Sequence, residues 1–319
     1  MPSKTSFCNG TEFRKCLSRW WPLWVIYGVI LFIMLPGVLL NARSTIPYVS
    51  TEQISYLSNV ILSETQMLLP LTAFCAGLLA AAAMFGYLYT PRGAGLAASL
   101  PIRRGCMFRT HLLAGLLMLL SAEAVVFGLA VLIEATRFGL VIEPLLIWLG
   151  ILALETVVFY GIAVLCAMFT GHVVMLPCLY LLVNFIAVGF QLLIESVLYM
   201  FVYGMSGMVD LPVDWLSPLV LFMRRTSVSR DHLLRPISGT EAEAAVSSFS
   251  GWTYPLVWAA FALLLVCAGQ LYRRRRMESA GDTVAIPVLK PVLKYIVALF
   301  AGLALPVGVY GMLLNVPAY

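Results

Sequence analysis

Three carboxylates stand inside stretches that are otherwise almost wholly apolar: Glu123, Glu155 and Glu195. An ionisable side chain in such a run is expensive to keep away from water, so it is a functional candidate by default. Asn184, Gln191 and Glu195 are spaced by seven and four residues and so share one helix face. That face is expected to look into protein or a water-filled path. Two kinds of chemistry fit these residues. They can relay a proton or line a path for a polar substrate, or they can hydrogen-bond neighbouring helices together.

Other reactive patterns fall short. Gly204-Met205-Ser206-Gly207 spells GxSG, similar to the serine motif of rhomboid intramembrane proteases. A serine nucleophile needs a base, and no histidine follows it in a later apolar run. There is no GxxxxGK[ST] phosphate loop and no HExxH. The cysteines show no CxxC or Cys/His spacing that suggests zinc, so no metal site is expected. Cys75, Cys166, Cys178 and Cys267 sit in apolar runs, and Cys8, Cys16 and Cys106 in basic segments; all read as free thiols. Asn9-Gly10-Thr11 matches a glycosylation sequon, on a segment read below as cytoplasmic.

The elements that must position these residues are membrane spans. The 319 residues are 61% hydrophobic and 11% charged, with mean hydropathy +0.95. A soluble domain has about 25% charged residues, so composition excludes a soluble enzyme, a disordered chain and a typical nucleic-acid binder. Crossing the hydrocarbon layer takes about 20 apolar residues. Seven windows qualify: 21–41, 67–89, 112–134, 144–169, 173–203, 252–272 and 292–315. Backbone groups in lipid must be satisfied internally, so each window is expected to be helical. The fifth is the longest and is expected to tilt or protrude. The fold class is therefore an all-α polytopic membrane helix bundle. It has six to seven transmembrane helices and an N-terminal interfacial amphipathic helix. No short-period or inverted repeat is visible.

With the N-terminus inside, fourteen of the 20 lysines and arginines fall on the inner side. The positive-inside rule then places the N-terminus in the cytoplasm. The run 137–143 and the run 170–172 are tight turns. The large outer segment 204–251 contains a mostly apolar stretch, 213–223, that could dip into the interface.

Three segments combine basic and apolar character. In residues 1–20, Phe13, Leu17, Trp20 and Trp21 form a helical stripe, with Arg14, Lys15 and Arg19 mostly off it. Such a helix is expected to lie flat at the membrane surface, its tryptophans at headgroup level. In the inner loop 89–110, Tyr89, Thr90, Pro91, Gly93 and Gly95 break the second span. A short helix over 94–100 follows and is stopped by Pro101. The sixth span exits through Arg273, Arg274, Arg275 and Arg276, followed by Glu278 and Asp282. These four arginines are expected to anchor at the interface and open a basic linker, 273–291.

Taken in order, three stretches resemble the permease subunits of type-2 ABC transporters, the branch common in Gram-positive bacteria. They are FRKCLSRWWPLWVIYGVILFIMLPGVLL, LYTPRGAGLAASLPIRRGCMFRTHLLAGL and LYRRRRMESAGDTVAIPVLKPVLKYIVALFAGL. The resemblance implies a six-span permease domain over 21–272 and a seventh span over 292–319, where simple members of the family have six. It implies a second permease copy or paralogue, and a separate ATPase that holds ATP and magnesium, so that this chain carries no cofactor and is not itself an enzyme. Leu100, Pro101, Ile102, Arg103 and Arg104 would lie nearest the ATPase. Residues 12–20 would be the interfacial elbow, and 213–223 the outer re-entrant region. On their own residue types, and not through the resemblance, Glu123, Glu155, Asn184, Gln191 and Glu195 are the candidates for a substrate path. The setting implied is the bacterial cell membrane, and the direction export of a peptide antibiotic, drug or lipid-like molecule. Two other readings stay open: a self-sufficient secondary carrier that uses its membrane glutamates for proton coupling, and an integral-membrane enzyme.

Overall fold

The computed structural model describes residues 8–41, 68–137, 142–201, 217–223 and 253–275, with isolated positions between 281 and 302. The helices are α1 (Gly10–Met34), α2 (Pro36–Asn41), α3 (Leu68–Phe85), α4 (Pro91–Ser99), α5 (Arg104–Arg137), α6 (Ile142–Phe169), α7 (Met175–Phe201) and α8 (Thr253–Arg274). A 3-10 turn, Gly86–Tyr89, prolongs α3. Among the described residues there is no strand, and five helices are long and apolar enough to cross a membrane. The chain is an all-α polytopic bundle embedded in a membrane. The sixth predicted window forms the 22-residue α8. Most of the seventh, most of the 204–251 segment and Arg276 lie outside the described residues.

The packing follows from which helices lack a polar face. In α6, 83% of the membrane-length window is buried, against 28% in α1. A helix that is apolar all round belongs in the middle, and α6 packs against α3, α5, α7 and α8. Alanines 73, 76, 80 and 81 of α3 are buried and let that helix approach α6 closely. Phe74 of α3 packs on Phe159 of α6 and Tyr180 of α7, with ring centroids 5.7 and 4.5 Å away. By contrast Trp21, Val25, Ile26, Val29 and Ile33 of α1 stay exposed, an apolar face suited to lipid.

Among the described residues the longest helix is α5, with 34 residues; the fifth window forms α7, with 27. At about 1.5 Å per residue α5 reaches about 50 Å, well past a hydrocarbon core of about 30 Å. Its first turns, with Arg104 and Arg109, carry the helix beyond the apolar run that begins at Leu112. The turn between α6 and α7 spans 170–174, where His172 Nδ1 accepts from the Val174 amide at 3.2 Å. Each crossing reverses direction. The start of α1, α4, the start of α5, the α6–α7 turn and the end of α8 therefore share one end of the bundle.

Candidate functional site

That shared end carries Arg14, Lys15, Arg19, Arg92, Arg103, Arg104, Arg109, Arg273 and Arg275, and α4 is largely exposed there. Thr90 caps α4, its Oγ1 accepting from the Gly93 amide at 3.2 Å. Pro91 follows in the first turn, where its missing N–H is no loss. A Cβ on residue 93 would lie 2.6 Å from Thr90 Oγ1 and 2.8 Å from the Tyr87 carbonyl, so glycine is required for this close approach. The helix thus begins three residues before the predicted 94–100 and ends at Ser99. Leu100 is extended, as the residue before a proline must be. The Ile102 amide donates to the Leu100 carbonyl at 2.7 Å across Pro101, and Arg103 caps α5 through its carbonyl. Leu100–Arg104 is therefore a tight corner.

On α4 only Ala94 is buried. Arg92, Leu96, Ser99, Leu100, Pro101, Arg103 and Arg104 are exposed, and Leu96 is 70% exposed. An apolar tip flanked by arginines faces away from the bundle. Ile102 is half-buried.

The base of α4 is gripped from below. Tyr87 donates to the Tyr272 hydroxyl of α8 at 3.0 Å, and its ring lies 4.9 Å from that of His111 in α5. Arg275 is the centre of the grip. It was expected at the lipid surface with Arg273, Arg274 and Arg276, yet it is only 4% exposed. Its Nη1 donates to the Ala167 carbonyl at 2.8 Å and the Met168 carbonyl at 3.4 Å, and its Nη2 to the Leu88 carbonyl at 3.3 Å. Carbonyls in a helix's last turn have no intrahelical partner and carry the negative end of the dipole. That is the reason this cation is buried and not at the headgroups. Burial pulls the guanidinium below its usual pKa, while Tyr89, Tyr87 and Tyr272 act the other way. No carboxylate pairs with Arg275 among the described residues. Arg273 stays exposed and lies against Gly105. Arg274 belongs to α8, and Arg276 lies outside the described residues.

The N-terminal helix is continuous with the first span but bends at Trp20, where φ is −107° and ψ is 17°. Pro22, which cannot donate within the helix, accounts for the bend. Before the bend, the Asn9 amide meets Thr110 Oγ1 at 3.0 Å and Cys16 Sγ meets His111 Nδ1 at 3.4 Å. An advance of seven residues, from Asn9 to Cys16, thus matches one residue of α5, from Thr110 to His111, so this part runs across α5. After it, Trp24 donates to Ser121 and Tyr27 to Glu123, at 3.0 and 2.9 Å, and the helices run together. The stripe differs from expectation: Phe13, Leu17 and Trp20 pack on the bundle core, because α5 offers them apolar partners. Trp21 is 61% exposed. Arg14, Lys15 and Arg19 are exposed; Lys15 pairs with Glu12 at 2.9 Å, and Arg19 lies over Trp20 at 5.6 Å.

The membrane polar residues fall on α5, α6 and α7. Glu123 is buried between α1, α5 and α6, its carboxyl taking the Tyr27 hydroxyl, which also lies 3.3 Å from Thr156. Glu155, next to Thr156, is buried as well. Asn184 is buried in α7 and donates to the Tyr180 carbonyl at 2.9 Å. Gln191 donates to Glu195 at 2.9 Å one turn on, half-buried. Asn184, Gln191 and Glu195 all belong to the one helix α7, so their spacing of seven and four sets them on a common face. Sequence reasoning missed Tyr27, Thr156 and Ser121, whose only signal is a hydroxyl within an apolar run, and Thr110, which lies between Arg109 and His111. The described part of 213–223 packs inside the bundle. Ser217 Oγ accepts from the Val188 amide, midway along α7, at 3.2 Å, and Phe222 lies 5.6 Å from Phe159.

No protein-family model matches the sequence, and no curated protein matches it.

Proposed function

We propose that the chain is the permease subunit of a bacterial type-2 ABC transporter, in the cell membrane with its N-terminus in the cytoplasm. It forms the membrane path together with a second permease copy or paralogue and works in export. ATP and magnesium are handled by a separate ATPase subunit. One observation carries the reading. A short, capped helix, α4, stands between two spans with its apolar tip Leu96 and Arg92, Arg103 and Arg104 exposed, while its base is fixed to three other helices. Such an element can seat in a partner's cleft and pass on its motion. A free loop could not.

The mechanism follows from linkage. ATP closes the ATPase pair, α4 moves as a lever, and the bundle switches between inward- and outward-open packings. ATP biases that equilibrium only through its different affinity for the two states. The test is purification in mild detergent. A co-purifying protein with a phosphate-binding loop, whose ATP hydrolysis changes on association, supports the reading. ATP hydrolysis by the chain alone, or exterior labelling of residues 89–109, overturns it.

A further inference from the structure

We propose that Arg275 is a positioning residue: it latches the foot of α4 to the ends of α6 and α8, so that displacement of α4 is delivered to α6, the central helix. The geometry has two sides. Leu88, which receives Nη2, lies two residues before the Thr90 cap of α4. Ala167 and Met168, which receive Nη1, form the last turn of α6. One rigid fork therefore spans both elements. Lysine, a point charge on a flexible stem, cannot reproduce a planar fork that reaches in two directions. Arg275 is itself anchored: its amide donates to the Leu271 carbonyl of α8 at 2.8 Å, and its carbonyl takes Nη1 of Arg104, at the start of α5, at 3.4 Å.

The chain beyond Arg275 reinforces the same junction. The Gly281 amide donates to the Gly171 carbonyl and the Ala285 amide to the Phe169 carbonyl, both at 2.8 Å. Gly281 and Ala285 thus bond the end of α6 and the α6–α7 turn, and Arg275, beside the Tyr272–Tyr87 bond, joins that end to the foot of α4. The latch explains why the guanidinium is buried where the neighbouring Arg273 is not.

The positional half stands on geometry alone; the transmission half rests on the permease reading. The first measurement is hydrogen exchange on the full chain in lipid nanodiscs, comparing wild type, Arg275→Met, Arg275→Lys and Arg273→Met. Exchange of amides 86–100 is expected to rise tenfold or more in Arg275→Met and by a smaller factor in Arg275→Lys, and to stay unchanged in Arg273→Met. Should Arg275→Met not fold, Arg275→Lys decides. Unchanged exchange over 86–100 in the folded variant overturns the latch, as does a uniform rise through α5 and α6. The second measurement adds the ATPase and non-hydrolysable ATP. Wild type and Arg273→Met should gain protection over both 91–104 and 160–172; the Arg275 variants should keep the first and lose the second. Protection of both segments in the Arg275 variants overturns transmission. If no ATPase associates, the permease reading fails while the first measurement still judges the latch.

Discussion

The bond between Tyr27 and Glu123 separates a structural role from a proton-carrying one. In Tyr27→Phe the ring stays and the hydroxyl goes, so the Glu123 carboxyl loses the donor now at 2.9 Å and Thr156 loses a neighbour at 3.3 Å. A net hydrogen bond is worth about 0.5–1.5 kcal/mol, and interhelical pairs in membranes average about 0.6 with a ceiling near 1.7. The expected destabilisation is therefore about 0.6–1.7 kcal/mol, roughly a 3- to 18-fold shift in the folded ratio by the same arithmetic. Glu123→Gln keeps an oxygen that accepts from Tyr27 and removes the titrating group, so it is expected to stay within about 0.5 kcal/mol of wild type. Glu123→Leu removes the acceptor and should match Tyr27→Phe, with the double variant no worse than the larger single one. The assay is reversible unfolding in mixed micelles, read as a double-mutant cycle, beside a pH-gradient measurement in proteoliposomes. Additive effects of the two substitutions would refute the bonded pair. Collapse of a proton flux in Glu123→Gln, with stability intact, would refute the structural role and favour a carrier.

Further outcomes follow from the same geometry. Arg103→Glu combined with Arg104→Glu should lower permease-stimulated ATP hydrolysis several-fold while size-exclusion profiles stay native; normal stimulation in a correctly inserted double variant contradicts the role of α4. Thr90→Ala removes the α4 cap, a loss of about 1 kcal/mol, visible as faster exchange over 91–99 alone. A Cβ at Gly77 would lie 2.9 Å from the Tyr160 backbone nitrogen, whereas one at Gly150 meets nothing within 4 Å. Gly77→Ala should therefore destabilise by about 1–3 kcal/mol through overpacking. Gly150→Ala should be neutral or stabilising by up to about 1 kcal/mol. Equal thermal shifts for the two would show that α3 and α6 do not cross at Gly77.

Much of the fold was legible because lipid leaves few alternatives: apolar runs of span length become helices, and breaks fell at Pro91, Pro101 and the turn at 170–172. The bend at Trp20 fell where the amphipathic segment was expected to meet the span. Helix α4 was read three residues late because Gly93 and Gly95 look like breakers, whereas Gly93 admits the Tyr87 carbonyl beside the cap. What stayed hidden depends on pairing. Four consecutive arginines look alike in a sequence, and only the packing of α3, α6 and α8 singles out Arg275. The partners of the membrane glutamates were hidden too: Glu123 takes the Tyr27 hydroxyl of α1, and Glu195 takes the Gln191 amide within α7.

The most direct test places a photo-crosslinking residue at Leu96, the most exposed apolar side chain of α4, and irradiates intact membranes. The account predicts one crosslinked partner with a phosphate-binding loop, with a yield that changes when non-hydrolysable ATP is added. Crosslinks to lipid alone, or to a partner on the outer face, would contradict it.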